Sequence, residues 1–206
     1  MKLKLSGIIL LSFAILFSSF VKLSAPNSIS FISPSANPFN LSTDASIEVK
    51  DKGVHFAELN FDIKGAQLSE RIVSGITYQY IHLEGFSKMN IVGSPALPVY
   101  YAMVGVPFNA ELNIEILEEE STIHSGYMIH PALEPAMDTY GAADPDFELD
   151  PSVYNRNQWF PDELAELASI QKLRGLPIAQ VAIRPVQFNP VSGELKVYSK
   201  LVCRIT

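Results

Sequence analysis

The sequence holds a single cysteine, Cys203. No intrachain disulfide can form, so the fold must be held together by apolar burial alone. The same scarcity bears on chemistry. Cys203 falls on the inward side of an alternating run, with Arg204 on the opposite face, and a thiol so placed is an inert core group. Basic residues are also in the minority, 15 against 22 acids for a net charge of −7. That balance argues against nucleic acid as a partner and against an anionic membrane surface. There is no glycine-rich phosphate loop, no dinucleotide fingerprint and no serine-centred elbow. The four histidines, His55, His82, His124 and His130, lack metal-ligand spacing. The run Glu118-Glu119-Glu120 reads as a solvated turn after a strand. Asp144, Asp146, Glu148 and Asp150 alternate through a long loop, but no glycine turn lies inside the run to wrap a cation. The expectation is a chain with no catalytic residue, no cofactor and no metal.

What the sequence does have begins with its leader. Lys2 and Lys4 precede an apolar run from Leu5 to Val21, diluted by serines. That pattern reads as a signal peptide over residues 1–25, cut after Ala25, rather than as an uncleaved anchor, although Pro26 is a poor neighbour for the cut. With no cysteine in the leader, a lipid anchor is not expected. The chain is therefore expected to be exported, to the periplasm, the cell surface or the medium, and to have no membrane contact once the leader is gone. About 180 residues then remain, enough for one domain with a sizeable core. Residues 26–45, rich in Ser, Asn and Pro, read as a poorly ordered lead-in, and 46–206 as the folded domain.

Within that domain the apolar spacing is mostly two, the period of a half-buried strand. Leu59, Phe61 and Ile63 alternate, as do Ile76, Tyr78 and Tyr80, and Leu112, Ile114 and Ile116. Residues 97–106 are continuously apolar, as in a strand buried on both faces. The last 27 residues read as a hairpin, with arms at 180–188 and 194–205 around Asn189-Pro190-Val191-Ser192-Gly193. Its second arm puts Leu195, Val197, Leu201, Cys203 and Ile205 on one face. One short helix is expected from Pro161 to about Gly175, from Leu164, Leu167 and Ala168 at helical spacing and Lys172, Arg174 and Gly175 at its end. The predicted class is all-β, an antiparallel, jelly-roll-like β-sandwich with one short helix. Residues 132–158 form the longest stretch without a strand signal, and so long a loop is more often functional than idle.

Several segments occur in an order and spacing similar to the pro-segment of gingipain-type cysteine peptidases. They are Gly93-Ser94-Pro95-Ala96-Leu97-Pro98, Val104-Gly105-Val106-Pro107, Ile129-His130-Pro131, Tyr154-Asn155, Trp159-Phe160-Pro161, Leu173-Arg174-Gly175 and Val186-Gln187-Phe188-Asn189-Pro190-Val191. The likeness runs over residues 54–205, and its most specific piece is the last. The resemblance implies a β-sandwich pro-domain, typical of Bacteroidetes using a dedicated secretion route (type IX). It would keep a cognate cysteine peptidase catalytic domain, in cis or downstream, latent by entering its cleft with a loop, and would assist its folding. In the arginine-specific members the inserted loop follows the Ile-x-Pro stretch and presents an arginine. The matching residues here, 132–147, contain no lysine or arginine. The resemblance therefore assigns the inhibitory role to Ala136, Met137, Asp138, Thr139 and Tyr140. The chain reads either as the front of a longer precursor or as a free-standing module. The competing expectation is an exported binding module for carbohydrate or surface adhesion, drawing on Trp159, Phe160, Tyr100 and Tyr101.

Overall fold

A computed structural model describes residues 27–30, 45–51, 56–135 and 147–206. The leader expected over 1–25 lies outside the described residues. All pairings between the described strands are antiparallel and form three sheets. Together with one short helix they make the all-β class that the spacing predicts.

The first sheet joins β1 (Asn27–Ser30), β4 (Gly65–Val73) and β5 (Ile76–His82). Here the chain differs from the expected lead-in, because Asn27–Ser30 pairs along β4 and Ile29 is buried. Ser74 and Gly75, with φ of 51° and 82°, make the two-residue turn between β4 and β5. The second sheet runs β6 (Ser87–Lys88), β7 (Pro98–Gly105), β10 (Leu176–Ile183) and β9 (Ala165–Leu173). The third runs β11 (Val186–Asn189), β12 (Glu194–Ile205), β3 (Ala57–Ile63) and β2 (Ala45–Asp51), with β8 (Ile114–Ser125) along the other side of β12.

β12 is the organising strand. Its first half pairs with β11 and its second half with β3, while β8 follows its whole length. Leu195, Val197, Leu201, Cys203 and Ile205 are all buried, on the face their spacing assigned to the core. A bulge between Tyr198 and Lys200 lets Tyr198 be buried as well, from the side read as outward. The core draws on every sheet, with Phe61, Ile81, Leu97, Ile183 and Phe188 almost wholly enclosed. Phe61 meets Tyr100 edge-on at 5.5 Å between ring centres.

Four local expectations are corrected. The helix expected from 161 to about 175 is instead the strand β9, hairpinned to β10 by Arg174 and Gly175 at φ of 50° and 85°. The residues read as a helix end are a primed turn, which needs two positive φ angles in succession. The one described helix, α1, is Pro151–Tyr154. Residues 180–188 are not one arm. They split into β10 and β11 at Arg184-Pro185, and the two strands lie in different sheets. Proline has no N–H to continue a ladder. Glu118, Glu119 and Glu120 are not a turn but part of β8, exposed along β12, where Glu118 pairs with Lys200 at 2.6 Å. Finally, β7 is buried on one face only. Ala102 is enclosed between the half-buried Tyr100 and Val104 on the core side, whereas on the other face Tyr101 and Met103 are exposed and Val99 alone, beside β6, is enclosed, because the strand lies in a sheet with only one side fully against the core.

Candidate functional site at the stem of the long connection

The residues expected to act, Ala136, Met137, Asp138, Thr139 and Tyr140, lie outside the described residues, as do Asp144 and Asp146. The structure does describe both stems of that connection, and they are tied to each other.

The outgoing stem, residues 128–132, is pinned on one side by Gln79 of β5. The Gln79 N–H donates to the Met128 carbonyl at 2.8 Å, and the His130 N–H donates to the Gln79 carbonyl at 2.9 Å. The Gln79 side-chain oxygen accepts from the Met128 N–H at 2.8 Å. On the other side runs the Gly93-Ser94-Pro95-Ala96 turn. The Ala132 N–H donates to the Ser94 carbonyl at 2.8 Å, and the Ala96 N–H to the His130 carbonyl at 3.0 Å.

Two links join this stem to the returning one. The first is Gly93, whose N–H donates to the Ala132 carbonyl at 2.8 Å while its carbonyl accepts from the Asp150 N–H at 2.9 Å. Gly93 has φ +81°, and a Cβ there would stand 3.1 Å from the Asp150 backbone nitrogen. The second is Tyr154, whose hydroxyl donates to the Ile129 carbonyl at 2.7 Å. Burial pushes the Tyr154 phenol well above its usual range, with a smaller contribution from Tyr78, so the hydroxyl stays a donor. Helix α1 places it. Asp150 caps the helix by accepting from the Ser152 N–H at 2.8 Å, and Pro151 sits in its first turn.

Between the stems lies an aromatic cluster. Phe147 on the returning leg meets Tyr78 at 5.0 Å and His130 at 5.1 Å, and His130 stacks on Tyr80 at 4.4 Å. His130 Nδ1 is 2.7 Å from the Pro131 carbonyl. A carbonyl can only accept, so Nδ1 carries the proton and Nε2 is left with its lone pair. Burial lowers the His130 pKa most, the hydrogen bond to the Pro131 carbonyl partly opposes it, and Arg71 and Lys88 each lower it by a smaller amount. The imidazole is therefore neutral at physiological pH.

Cys203 offers no nucleophile. It is fully buried, and burial pushes its thiol up to about 11. Ellman's reagent at pH 8 is expected to leave it unlabelled in the native chain and to label it stoichiometrically in guanidinium; full labelling of native protein would contradict this placement. Among the described residues, no three His, Cys, Asp or Glu side chains come together to hold a metal. Two aromatics of the binding-module reading, Tyr100 and Tyr101, do not share a face. Tyr100 packs into the core with Phe61 and Phe86, whereas Tyr101 is on the opposite, exposed side of β7. Phe160 exchanges backbone hydrogen bonds with Phe188, both 2.8 Å.

The Propeptide_C25 family model matches residues 41–206. Lys-gingipain of Porphyromonas gingivalis is 24% identical over 155 residues, which make up 72% of this chain and 9% of that protein. Gingipain R2 of the same species is 26% identical over 165 residues, 78% of this chain and 21% of the relative. The matched part of the chain thus spans only 9% to 21% of the length of these relatives. Two solved structures share the fold. The complex of the Porphyromonas gingivalis RgpB pro- and mature domains aligns with a TM-score of 0.69 at 18% identity, covering 78% of this chain and 83% of that one. A structure described as giving insight into the zymogenic latency of gingipain K aligns with a TM-score of 0.70 at 20% identity, covering 89% and 98%.

Proposed function

The chain belongs to the Propeptide_C25 family, and on that premise we propose that it is the exported pro-domain of a gingipain-type cysteine peptidase. It keeps the peptidase latent by inserting residues 136–140 into the catalytic cleft, and it assists the folding of that domain. The observation that carries this reading is the closed stem. Gly93 and Tyr154 tie the two legs of the connection to each other, and Gln79 ties the outgoing leg to β5. A loop projected from a fixed base loses less conformational freedom on docking than a free segment would. Covalent attachment in a precursor raises its effective concentration to about millimolar, so a modest interface suffices until the connector is cut.

Residues 132–147 carry four acids and no base, so the loop does not satisfy a pocket built for lysine or arginine. Met137, Asp138, Thr139 or Tyr140 would occupy the specificity pocket, and the partner peptidase is accordingly expected to prefer a non-basic residue. Among the described residues no helix is long and apolar enough to cross a membrane, and the working partner is the peptidase surface. Added to a gingipain-type peptidase of the same organism, the purified chain is expected to slow peptide hydrolysis at sub-micromolar concentration and in competition with substrate. Unchanged rates at a large molar excess would overturn the proposal.

A further inference from the structure

The face of the first sheet that carries the stems continues beyond them. Phe147 stands 5.0 Å and His130 5.8 Å from the Tyr78 ring, and His130 stacks on Tyr80. Period two puts Ile76 on the same side of β5 as Tyr78 and Tyr80. The register sets Val73 of β4 opposite Ile76, and Arg71 opposite Tyr78. Tyr78 is buried, whereas Ile76 is 50% exposed, Val73 half-buried and Arg71 exposed. An apolar strip thus runs out from under the stems to the β4–β5 turn, with a guanidinium beside it. Ser74 and Gly75, both at positive φ, close the two strands and hold Val73 against Ile76 before any partner arrives.

Two other exposed apolar sites supply the contrast. Ile72 is 71% exposed, but it lies opposite Thr77 on the other face of the hairpin, the one that buries Leu68 and Ile81 further along. The β9–β10 turn exposes Leu173 and Leu176, but it stands at the Gly105 end of β7, and the Gly93 turn leads into the Pro98 end. Of the three, only the Ile76 site is continuous with the surface on which the stems lie. A loop that enters a cleft brings the rim of that cleft down to the base of the loop. Exposed apolar groups placed there mark an interface.

We infer that Val73 and Ile76 dock on an apolar ledge of the peptidase beside its cleft, with Arg71 on a carboxylate at the rim of that ledge. An aliphatic centre with a charged group at its edge is ordinary interface anatomy, and the planar guanidinium is suited to a carboxylate. The contact belongs to the strand ends rather than to the turn residues themselves. The assignment of this partner rests on the latency reading.

Binding of the chain to a gingipain-type peptidase of the same organism, measured by surface plasmon resonance beside the inhibition constant, tests the contact. Ile76→Ser is expected to weaken both by about tenfold, the worth of one newly buried aliphatic side chain, while Ile72→Ser leaves both unchanged. Both side chains are exposed in the free chain, so the urea midpoints of the two variants should match that of the unaltered chain. Arg71→Gln should weaken binding severalfold at low salt and by less at high salt. In the unaltered chain, amide exchange over residues 71–78 should slow in the complex, and exchange over 171–176 should not. Equal losses from Ile72→Ser and Ile76→Ser, or no loss from Ile76→Ser with 71–78 exchanging as in the free chain, would overturn the contact; the latency reading stands if the unaltered chain still inhibits. A chain that binds without inhibiting, and loses binding in Ile76→Ser, would sink latency and keep the contact. Absence of any binding would sink both. Self-association of the free chain that Ile76→Ser abolishes would give the strip to a second copy and overturn the assigned partner.

Discussion

Gly93→Ala is expected to destabilise the chain by about 3 kcal/mol, the largest stability loss of any methyl-sized change near the stem. Two costs add. At φ +81° an L-residue sits in the left-handed region, which costs roughly 1–2 kcal/mol. The new Cβ would also lie 3.1 Å from the Asp150 nitrogen and 3.2 Å from the Asp150 Cβ. Those atoms cannot swing aside, because the Asp150 N–H is bonded to the Gly93 carbonyl and the Asp150 carboxylate caps α1. Gly75 supplies the control. It has nearly the same φ, +82°, with nothing within 4 Å of a built Cβ, so Gly75→Ala should show the conformational cost alone. Urea unfolding of both variants separates the terms. Equal losses would mean that the two legs are not crowded together at Gly93. Where both variants are folded, Gly93→Ala should also raise the inhibition constant against the peptidase, because it pries the stems apart, while Gly75→Ala should not.

The parts of the fold that were legible in the sequence are those with one buried face. In β12 and β3 the alternation of Leu195, Val197, Leu201 and Cys203, and of Leu59, Phe61 and Ile63, maps directly onto burial, since period two puts every second side chain on the same side. The Asn189-to-Gly193 turn was legible for its own chemistry. The Gly193 N–H donates to the Asn189 carbonyl at 2.9 Å, and the Asn189 side-chain oxygen accepts from Val191 and Ser192. β9 was not legible because nearly all of it is exposed. With no core to impose alternation, Leu164, Leu167 and Ala168 fell at helical spacing by chance, and a charged pair before glycine ends a helix as readily as it turns a hairpin. Pro185 was visible, but that the chain changes sheets there depends on contacts made elsewhere.

For the candidate site, the sequence pointed to the long connection and its Gly-Ser-Pro turn. It could not show that Gly93 bridges both legs, since Ala132 and Asp150 meet it only in three dimensions. Tyr154 and Ile129 are likewise 25 residues apart. The local signal that could have located α1 was Asp150-Pro151-Ser152, a capping acid followed by a proline at the first helical position. His130 stood out in the sequence only as a histidine without a ligand partner. Its burial is a property of the packing of β5 and the stem around it.

The central claim is that residues 136–140 do the inhibiting and that the stem only presents them. It is tested most directly by replacing Ala136, Met137, Asp138, Thr139 and Tyr140 with a glycine-serine segment of equal length and measuring the inhibition constant against the peptidase. The stem contacts through Gly93, Gln79 and Tyr154 are left in place, so the urea midpoint should be close to that of the unaltered chain. The inhibition constant should rise by about a hundredfold, equivalent to about 2.7 kcal/mol of lost cleft contact. An unchanged inhibition constant at an unchanged midpoint would contradict insertion of this loop and place the latency contact elsewhere on the domain.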